Sequence, residues 1–494
     1  MAGGNYERGM YNQLMEVMAR LGKVEREAAA IHQKDQEEIR ELKDTVKKQQ
    51  VKIDQLTEEL NRYQSKDKTD SHNSSKPPSS DQKSSKAPNE YNGRKKSGKK
   101  SGGQKGHQGT TLKIEDVKRK FKAAGLTINE QEIGDVTRPC KEHMVLDLNF
   151  GAVATLMKFH ADENGNYSMP VEYRSEVTYG DGVKALVALL YGQGVQSAQR
   201  IVEVISAISG KTIELSEGTV FNWLNEFKRN AEADNQTVED RLVDYHQVHT
   251  DGTNVTVNGV QSFIRNFSVL NWVLYVPMDT KGHKTLETIP FLQRYRGILM
   301  HDHETSLYKY GLDHVECLVH LIRYLTKNSE DTGHRWSQKM ISFLLSINEY
   351  RKKLKADGKK EMDEETIKRL EDRYDKLLQE ALEERKSGCK LRWALKEEKT
   401  LLNRMKKYKR NHLLFIHDFD VSFDNNMSER DLRKCKNRQK MSGGFRTKKG
   451  KEIFCSILTI TETCKRQGLD LMQAFRSIFQ GKRVFAVSGK RPVL

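Results

Sequence analysis

Apolar residues change their period several times along this chain, and each change marks a different kind of element. From about Tyr11 to Tyr63 the sequence reads as helix almost throughout and contains no proline. Ile39, Leu42, Val46, Gln49, Ile53, Leu56 and Leu60 alternate three and four apart, a heptad seam with one polar member. Leu14, Met18, Leu21, Val24, Ala28 and Ile31 form an earlier set slightly out of phase, so a coil is expected to break near Lys34. A helical hairpin folded on its own chain is the plainer reading. The narrow seam and charged flanks favour self-association.

The pattern then disappears. Ser71 to Thr111 is Ser, Pro, Gly and Lys with almost no apolar residue, which predicts an unstructured linker. Its second half carries Lys83, Lys86, Arg94, Lys95, Lys96, Lys99, Lys100 and Lys105 against the single acid Glu90, suited to tracking phosphates without reading sequence. From Leu112 to Tyr179 short strands are expected, for example 153–159 and 170–174. Cys140 and His143 have a metal-like spacing, but no second pair follows and a structural zinc needs four ligands, so no zinc is expected. From Gly182 to Arg229 the period turns helical, with Ser216 capping a helix that carries Val220, Trp223, Leu224 and Phe227. A helix-turn-helix reader and plain helix packing fit this region equally.

At Tyr245 the period becomes two. Val248 to Val257 alternates, Asn258-Gly259 is a two-residue hairpin turn, Phe263 to Phe267 returns, and Val269 to Pro277 makes a third strand. A helix from Thr285 to about Tyr295 precedes the apolar strand Gly297 to Met300, which runs into His301-Asp302-His303-Glu304. Three antiparallel strands, a helix, and a strand able to lie parallel beside the first open a ribonuclease-H-like sheet. Asp251 and Asp302 then become neighbours, and two carboxylates so close are costly without a divalent cation between them. Two Mg²⁺ ions roughly 3.5–4 Å apart would hold both oxygens of an in-line phosphoryl displacement. Taken singly, Asp251 reads as a turn residue and Asp302 as a helix cap.

Further on, Phe423 to Arg433 reads first as a helix start, with Asn426 as cap and Glu429 reaching back in a capping box. The same helix carries Arg430, Arg433, Lys434, Arg438 and Lys440, so Glu429 also suits a metal ion facing a phosphodiester. Lys327 to Tyr408 is long, charged and helical, and separates Asp302 from Glu429 as an insertion would. Gly443 to Lys451 is a Gly- and Lys-rich loop without a nucleotide-binding pattern, read as a phosphate contact. Ile453 to Cys464 and Leu469 to Phe479 read as buried helices.

Composition narrows the partners. The 494 residues are 36% hydrophobic and 31% charged, with net charge +17, pI near 9.3 and mean hydropathy −0.76. A polyanion, first of all nucleic acid, is the expected partner, and no apolar run approaches the roughly 18–20 residues that span a bilayer. Met1 to Arg8 holds no apolar signal core, and the six cysteines form no dense disulfide pattern or CxxC pair, which suits a reducing compartment.

Three motifs give the chain a specific likeness. Asn73-Ser74-Ser75-Lys76-Pro77-Pro78-Ser79-Ser80-Asp81, Cys317-Leu318-Val319-His320-Leu321-Ile322-Arg323, and Asn425-Asn426-Met427-Ser428-Glu429-Arg430-Asp431-Leu432-Arg433 resemble segments of the IS66 insertion-sequence transposases, which are DDE-type enzymes. The resemblance runs from the coiled coil to about Phe479. It implies that Asp251, Asp302 and Glu429 are the catalytic, metal-binding acids, using two Mg²⁺ or Mn²⁺ ions. It gives Cys317 and His320 a structural or DNA-positioning role, and the same is expected of Asn425 and Asn426. The chain departs from the family in lacking paired CxxC motifs and in having His301-Asp302-His303-Glu304 where Thr-Asp-Gly-Tyr is usual; Glu304 is an alternative ligand to Asp302.

The expected organisation is α/β: a coiled coil (1–68), a basic linker (69–112), a degenerate zinc-ribbon-like β region (113–180), a helical region (181–235), a ribonuclease-H-like core in two parts (240–326 and 411–465) around a helical insertion (327–410), and a helical tail (466–494). The expected function is metal-dependent cleavage at the ends of an insertion sequence and strand transfer into target DNA. A non-catalytic coiled-coil DNA-binding protein, such as a decayed transposase, and a metal-dependent nuclease are the alternatives. The partners would be double-stranded DNA, a second copy through the coiled coil, and accessory proteins of the same element, with no membrane. DNA contact is expected from Arg94, Lys95, Lys96, Lys99, Lys100, Arg430, Arg433, Lys434, Arg438 and Lys440. The expected location is the bacterial cytoplasm, on the nucleoid.

Overall fold

The computed structural model describes residues 4–67, 114–123 and 178–485, except 387, 388 and 390, together with the single positions Ala154 and Asn164. The basic linker with Arg94, Lys95, Lys96, Lys99 and Lys100, the Cys140–His143 pair and the strands expected at 153–159 and 170–174 lie outside the described residues. What is described is mixed α/β, mostly helical, with one five-stranded mixed sheet. The chain divides into two compact units, residues 1–83, 320–350 and 363–409 in one and residues 84–319, 351–362 and 410–494 in the other.

Helix α1 runs unbroken from Gly4 to Asp67, so the phase shift near Lys34 does not interrupt the helix. Its seam faces outward, with Leu42 57% and Leu60 58% exposed. Helix α2, Ile114–Ala123, stands where short strands were expected. Helices α3 (Asp181–Gly192), α4 (Ala198–Ile208), α5 (Glu217–Asn230) and α6 (Glu232–Val243) follow. Ser216 caps α5 as expected, its Oγ accepting from Thr219 N at 3.0 Å. The segment Ser209 to Ser216 joins α4 to α5, longer than the three to four residues of a helix-turn-helix turn. The apolar face of α5 is spent on packing, with Phe227 and Leu224 fully enclosed.

The sheet follows the alternation closely. Strands β1 (Gln247–Val257), β2 (Val260–Ser268) and β3 (Val273–Met278) form an antiparallel meander. Its first turn is Asn258-Gly259, both residues at positive φ (49° and 77°), as a two-residue hairpin needs. The helix expected from Thr285 to Tyr295 is two short ones, α7 (His283–Leu286) and α8 (Pro290–Arg294), because Pro290 cannot continue a helix but starts one well. Strand β4 (Ile298–His301) then pairs parallel to β1, and β5 (Asp313–Glu316) parallel to β4. The order across the sheet is β3-β2-β1-β4-β5.

Helices α9 (Leu318–Thr332), α10 (Trp336–Ala356), α11 (Glu364–Glu384) and α12 (Arg392–Lys407) fill the charged stretch. Then come α13 (Lys409–His417), α14 (Asn426–Asp431), α15 (Arg433–Ser442), α16 (Lys448–Arg466) and α17 (Leu471–Phe479). The two C-terminal helices are buried as their apolar runs predict. In α16, Thr459 and Thr463 accept hydrogen bonds from the β3 amides of Tyr275 and Val273 at 3.0 and 3.3 Å. Gly192 of α3 allows the close approach to this helix: a Cβ there would lie 2.3 Å from Ile457 Cγ2. Phe227 meets Phe475 of α17 edge-on at 4.7 Å, and each such burial contributes about 1.5–3 kcal/mol. The five described cysteines are free thiols.

Candidate active site

The parallel pairing of β1 with β4 sets the central geometry. His249 is level with Met300, so continuing that register by two residues brings Asp302 level with Asp251. The Asp251 carboxyl is half-buried, and its pKa is pushed up to about 6, first by burial and then by the neighbouring Asp302 charge. The Gly252 amide, which donates to Asp251 Oδ1 at 2.6 Å, pulls the other way, as do Lys281 and Arg265. The fully enclosed Arg265 puts Nη2 2.6 Å from both oxygens of Glu304 and Nη1 3.1 Å from Thr250 Oγ1. Glu304, the alternative to Asp302, is therefore committed to an arginine.

Helix α14 packs on β1 and β2 at this end of the sheet. Its cap is Asn425 rather than Asn426, and neither makes a side-chain cap bond; the Asn426 amide donates instead to Asp424 Oδ1 at 3.0 Å. The capping-box expectation is thus corrected, because the buried Asn425 side chain is used elsewhere. Its Nδ2 donates to Thr250 O at 2.9 Å and reaches Asp302 Oδ1 at 3.4 Å, while Oδ1 lies 3.1 Å from His249 Nδ1. Its backbone N–H points at Cys317 Sγ, 3.3 Å away. Three residues on, the Ser428 hydroxyl donates to Asn266 Oδ1 at 2.6 Å, and Asn266 is the residue directly opposite Asp251 on β2. Glu429 follows Ser428 and is half-buried. The α14 backbone is further held by Tyr275 Oη on Asp431 O at 3.0 Å, and by Arg466 Nη2 on both Asp431 oxygens at 2.6 Å.

The basic residues around Glu429 separate into two groups. Arg430, Arg433 and Lys440 are exposed. Lys434 and Arg438 are turned inward. Lys434 pairs with Glu462 at 2.7 Å and also meets Gln193; burial draws its pKa down to about 8. Arg438 is 7% exposed, donates to Gln196 O at 2.7 Å and lies over the Tyr191 ring at 4.7 Å. The loop expected at Gly443–Lys451 ends at Thr447, where α16 begins, and this stretch is partly architectural. A Cβ at Gly444 would lie 2.2 Å from Thr256 Oγ1, Phe445 N donates to Thr256 O at 2.8 Å, and Lys448 and Lys451 reach Asp279 at 2.6 and 3.4 Å. Cys317 and His320 are both buried, and Arg323 Nη1 lies 3.2 Å from His320 Nε2.

The sequence reading missed Arg265, Asn266 and Lys281. Arg265 and Asn266 carried a signal, since polar residues inside an apolar strand demand buried partners. Lys281 carried none.

A sequence model of the family described as Transposase IS66 matches residues 177–453, more than half of the chain. The chain belongs to the IS66 transposase family. Within this IS66 match lie the whole sheet, Asp251, Asp302, Asn425 and Glu429. Residues 23–113 match a family of unknown function, DUF6444. No curated protein matches the chain. Among the described residues, no helix is long and apolar enough to cross a membrane.

Proposed function

We propose that this IS66-family protein is a DDE transposase that cuts DNA at the ends of an insertion sequence and joins them to target DNA, with Asp251, Asp302 and Glu429 as its catalytic acids. The observation that carries this reading is the Asp251–Asp302 pair, one acid on β1 and the other just past the end of the parallel strand β4, with one pKa raised to about 6 by burial and by the other. The strand order β3-β2-β1-β4-β5, antiparallel across the first three and parallel across the last three, supports a ribonuclease-H-like core. The anchoring of α14 to Thr250 and Asn266 supports Glu429 as the third acid.

The donor set is hard oxygen, which suits Mg²⁺ or Mn²⁺. Held by Asp251, Asp302 and Glu429, such ions would supply charge neutralisation and Lewis acidity toward a phosphodiester. Water attacks the phosphodiester at the element end and releases a 3′ hydroxyl. That hydroxyl then attacks a target phosphodiester, forming a new P–O bond and displacing the target's 3′ oxygen. The protein's part is to fix the acids. Asn425 holds Asp302 and the β1 backbone together, and Arg265 keeps Glu304 away from them. Arg430 and Arg433 face solvent and suit backbone phosphates. The exposed α1 seam supports a coiled coil between two copies.

The test is strand transfer with labelled element ends and Mg²⁺, comparing the unmodified protein with Asp251→Ala and Glu429→Ala. Loss of both cleavage and joining in each variant is expected. Unchanged activity in both would sink the assignment of these acids, and DNA binding without any cleavage would support a binding protein instead.

A further inference from the structure

The backbone that delivers Asp302 makes an uncommon turn. β4 ends at His301, and His303, the residue after Asp302, has φ +62°. A left-handed backbone is unfavourable for a residue with a Cβ, so a contact that holds His303 there is called for. Its side chain makes one. Nδ1 of His303 lies 2.6 Å from Oε1 of Glu316, a fully enclosed residue of β5. A carboxylate only accepts, so His303 carries the proton on Nδ1 and donates it. Glu316 is itself fixed from two more directions: Tyr308 Oη donates to the same oxygen, and His412 Nε2 of α13 lies 3.0 Å from the other. The sheet register sets Glu316 level with His301, immediately before Asp302.

We propose that Glu316 is a positioning residue for Asp302. It anchors the His303 side chain and so fixes the left-handed turn that aims the Asp302 carboxylate. This inference rests on the proposed role of Asp302 as a metal ligand. Glu316 touches neither substrate nor metal in this scheme. It fixes Asp302 from the backbone side, while Asn425 does so from the side chain.

The distinguishing experiment uses glycine, which adopts positive φ without an anchor. The full-length protein, Glu316→Leu, His303→Gly and the double variant would be compared for Mn²⁺ affinity by calorimetry, and for strand transfer. Glu316→Leu is expected to weaken Mn²⁺ binding about 10- to 100-fold, the usual loss when a ligand's support is removed. His303→Gly alone should stay close to the unmodified protein. The double variant should recover most of the affinity that Glu316→Leu loses, which a general loss of packing would not allow. A double variant as weak as Glu316→Leu, or a Glu316→Leu that binds normally, would overturn the proposal. If Glu316→Leu shows no cooperative melting, His303→Ala against His303→Gly decides. Alanine lacks both the anchor and glycine's freedom, so it should bind about tenfold more weakly, and equal affinities would overturn the proposal. An unmodified protein that binds no Mn²⁺ overturns the metal-site reading and this inference with it. Normal binding without rescue by glycine overturns this inference alone.

Discussion

Two carboxylate sites in this protein follow opposite rules. In the helical unit, Glu398 of α12 is fully buried and surrounded by donors: Asn328 Nδ2 at 3.2 Å, His334 Nδ1 at 2.8 Å and Trp336 Nε1 at 2.7 Å on one oxygen, Arg385 Nη1 at 2.9 Å on the other. In the sheet unit, Asp251 has another acid as its neighbour, and its pKa rises to about 6. Donors from α9, from the turn into α10, from α10 itself and from the end of α11 make the first site architecture. The second sets two acids side by side, with Lys281 and Arg265 offsetting their repulsion only in part, and such a site is a candidate for function. The same contrast sorts the cations near Glu429, where Arg438 is enclosed by rings and a carbonyl while Arg430 and Arg433 stay exposed.

The largest expected effect lies at the saturated site. Glu398→Ala would strand four donors in a dry interior and should cost about 3–5 kcal/mol of stability, measured by denaturant unfolding. A loss under about 1 kcal/mol would erase the contrast. Next comes Arg438→Ala, which removes a buried side chain stacked over Tyr191 and should cost about 2–3 kcal/mol in the same measurement.

Asp251→Asn should act in the opposite direction. The folded-state pKa of Asp251, about 6, lies above the ordinary value of 3.8, so its contribution to stability is fully present below pH 3.8 and is lost as pH rises through 6. Removing the charge should therefore stabilise the metal-free protein by about 1–2 kcal/mol at pH 7.5, with little effect below pH 4. Destabilisation at pH 7.5 would show that Asp251 is satisfied like Glu398. The smallest effect on stability belongs to Arg430→Ala and Arg433→Ala, within about 0.5 kcal/mol. Each should instead lower the salt dependence of DNA binding by about one phosphate contact, read from binding at several salt concentrations.

Much of the sheet unit was legible because its signals are local. Alternation and Asn258-Gly259 give β1 to β3, an apolar run gives β4, and the spacing of Asp251 and Asp302 along those strands gives their juxtaposition. Strand β5 is only four residues long, Asp313 to Glu316, too short for alternation to declare itself. Pro290 divided a helix that apolar spacing alone had joined. Asn425 and Asn426 look alike in sequence, but only the sheet decides that Asn425 turns away from the helix end toward Asp302. The fates of Lys434 and Arg438 depend on Glu462, Gln193 and Tyr191, partners distant in sequence that no local charge pattern reveals. His303 kept its strained backbone hidden for the same reason: its anchor, Glu316, is thirteen residues on, across two strands.

The central claim is that Asp251 and Asp302 form an ion-seeking pair. Its most direct test is calorimetric titration of Mn²⁺ into the unmodified protein, Asp251→Asn and Asp302→Asn at pH 6 and pH 7.5. The expected result is binding by the unmodified protein with a fraction of a proton released at pH 6, as Asp251 gives up the proton that burial and its neighbour had kept, and affinity lower by about tenfold or more in both variants. Equal Mn²⁺ affinity in all three proteins would contradict the account.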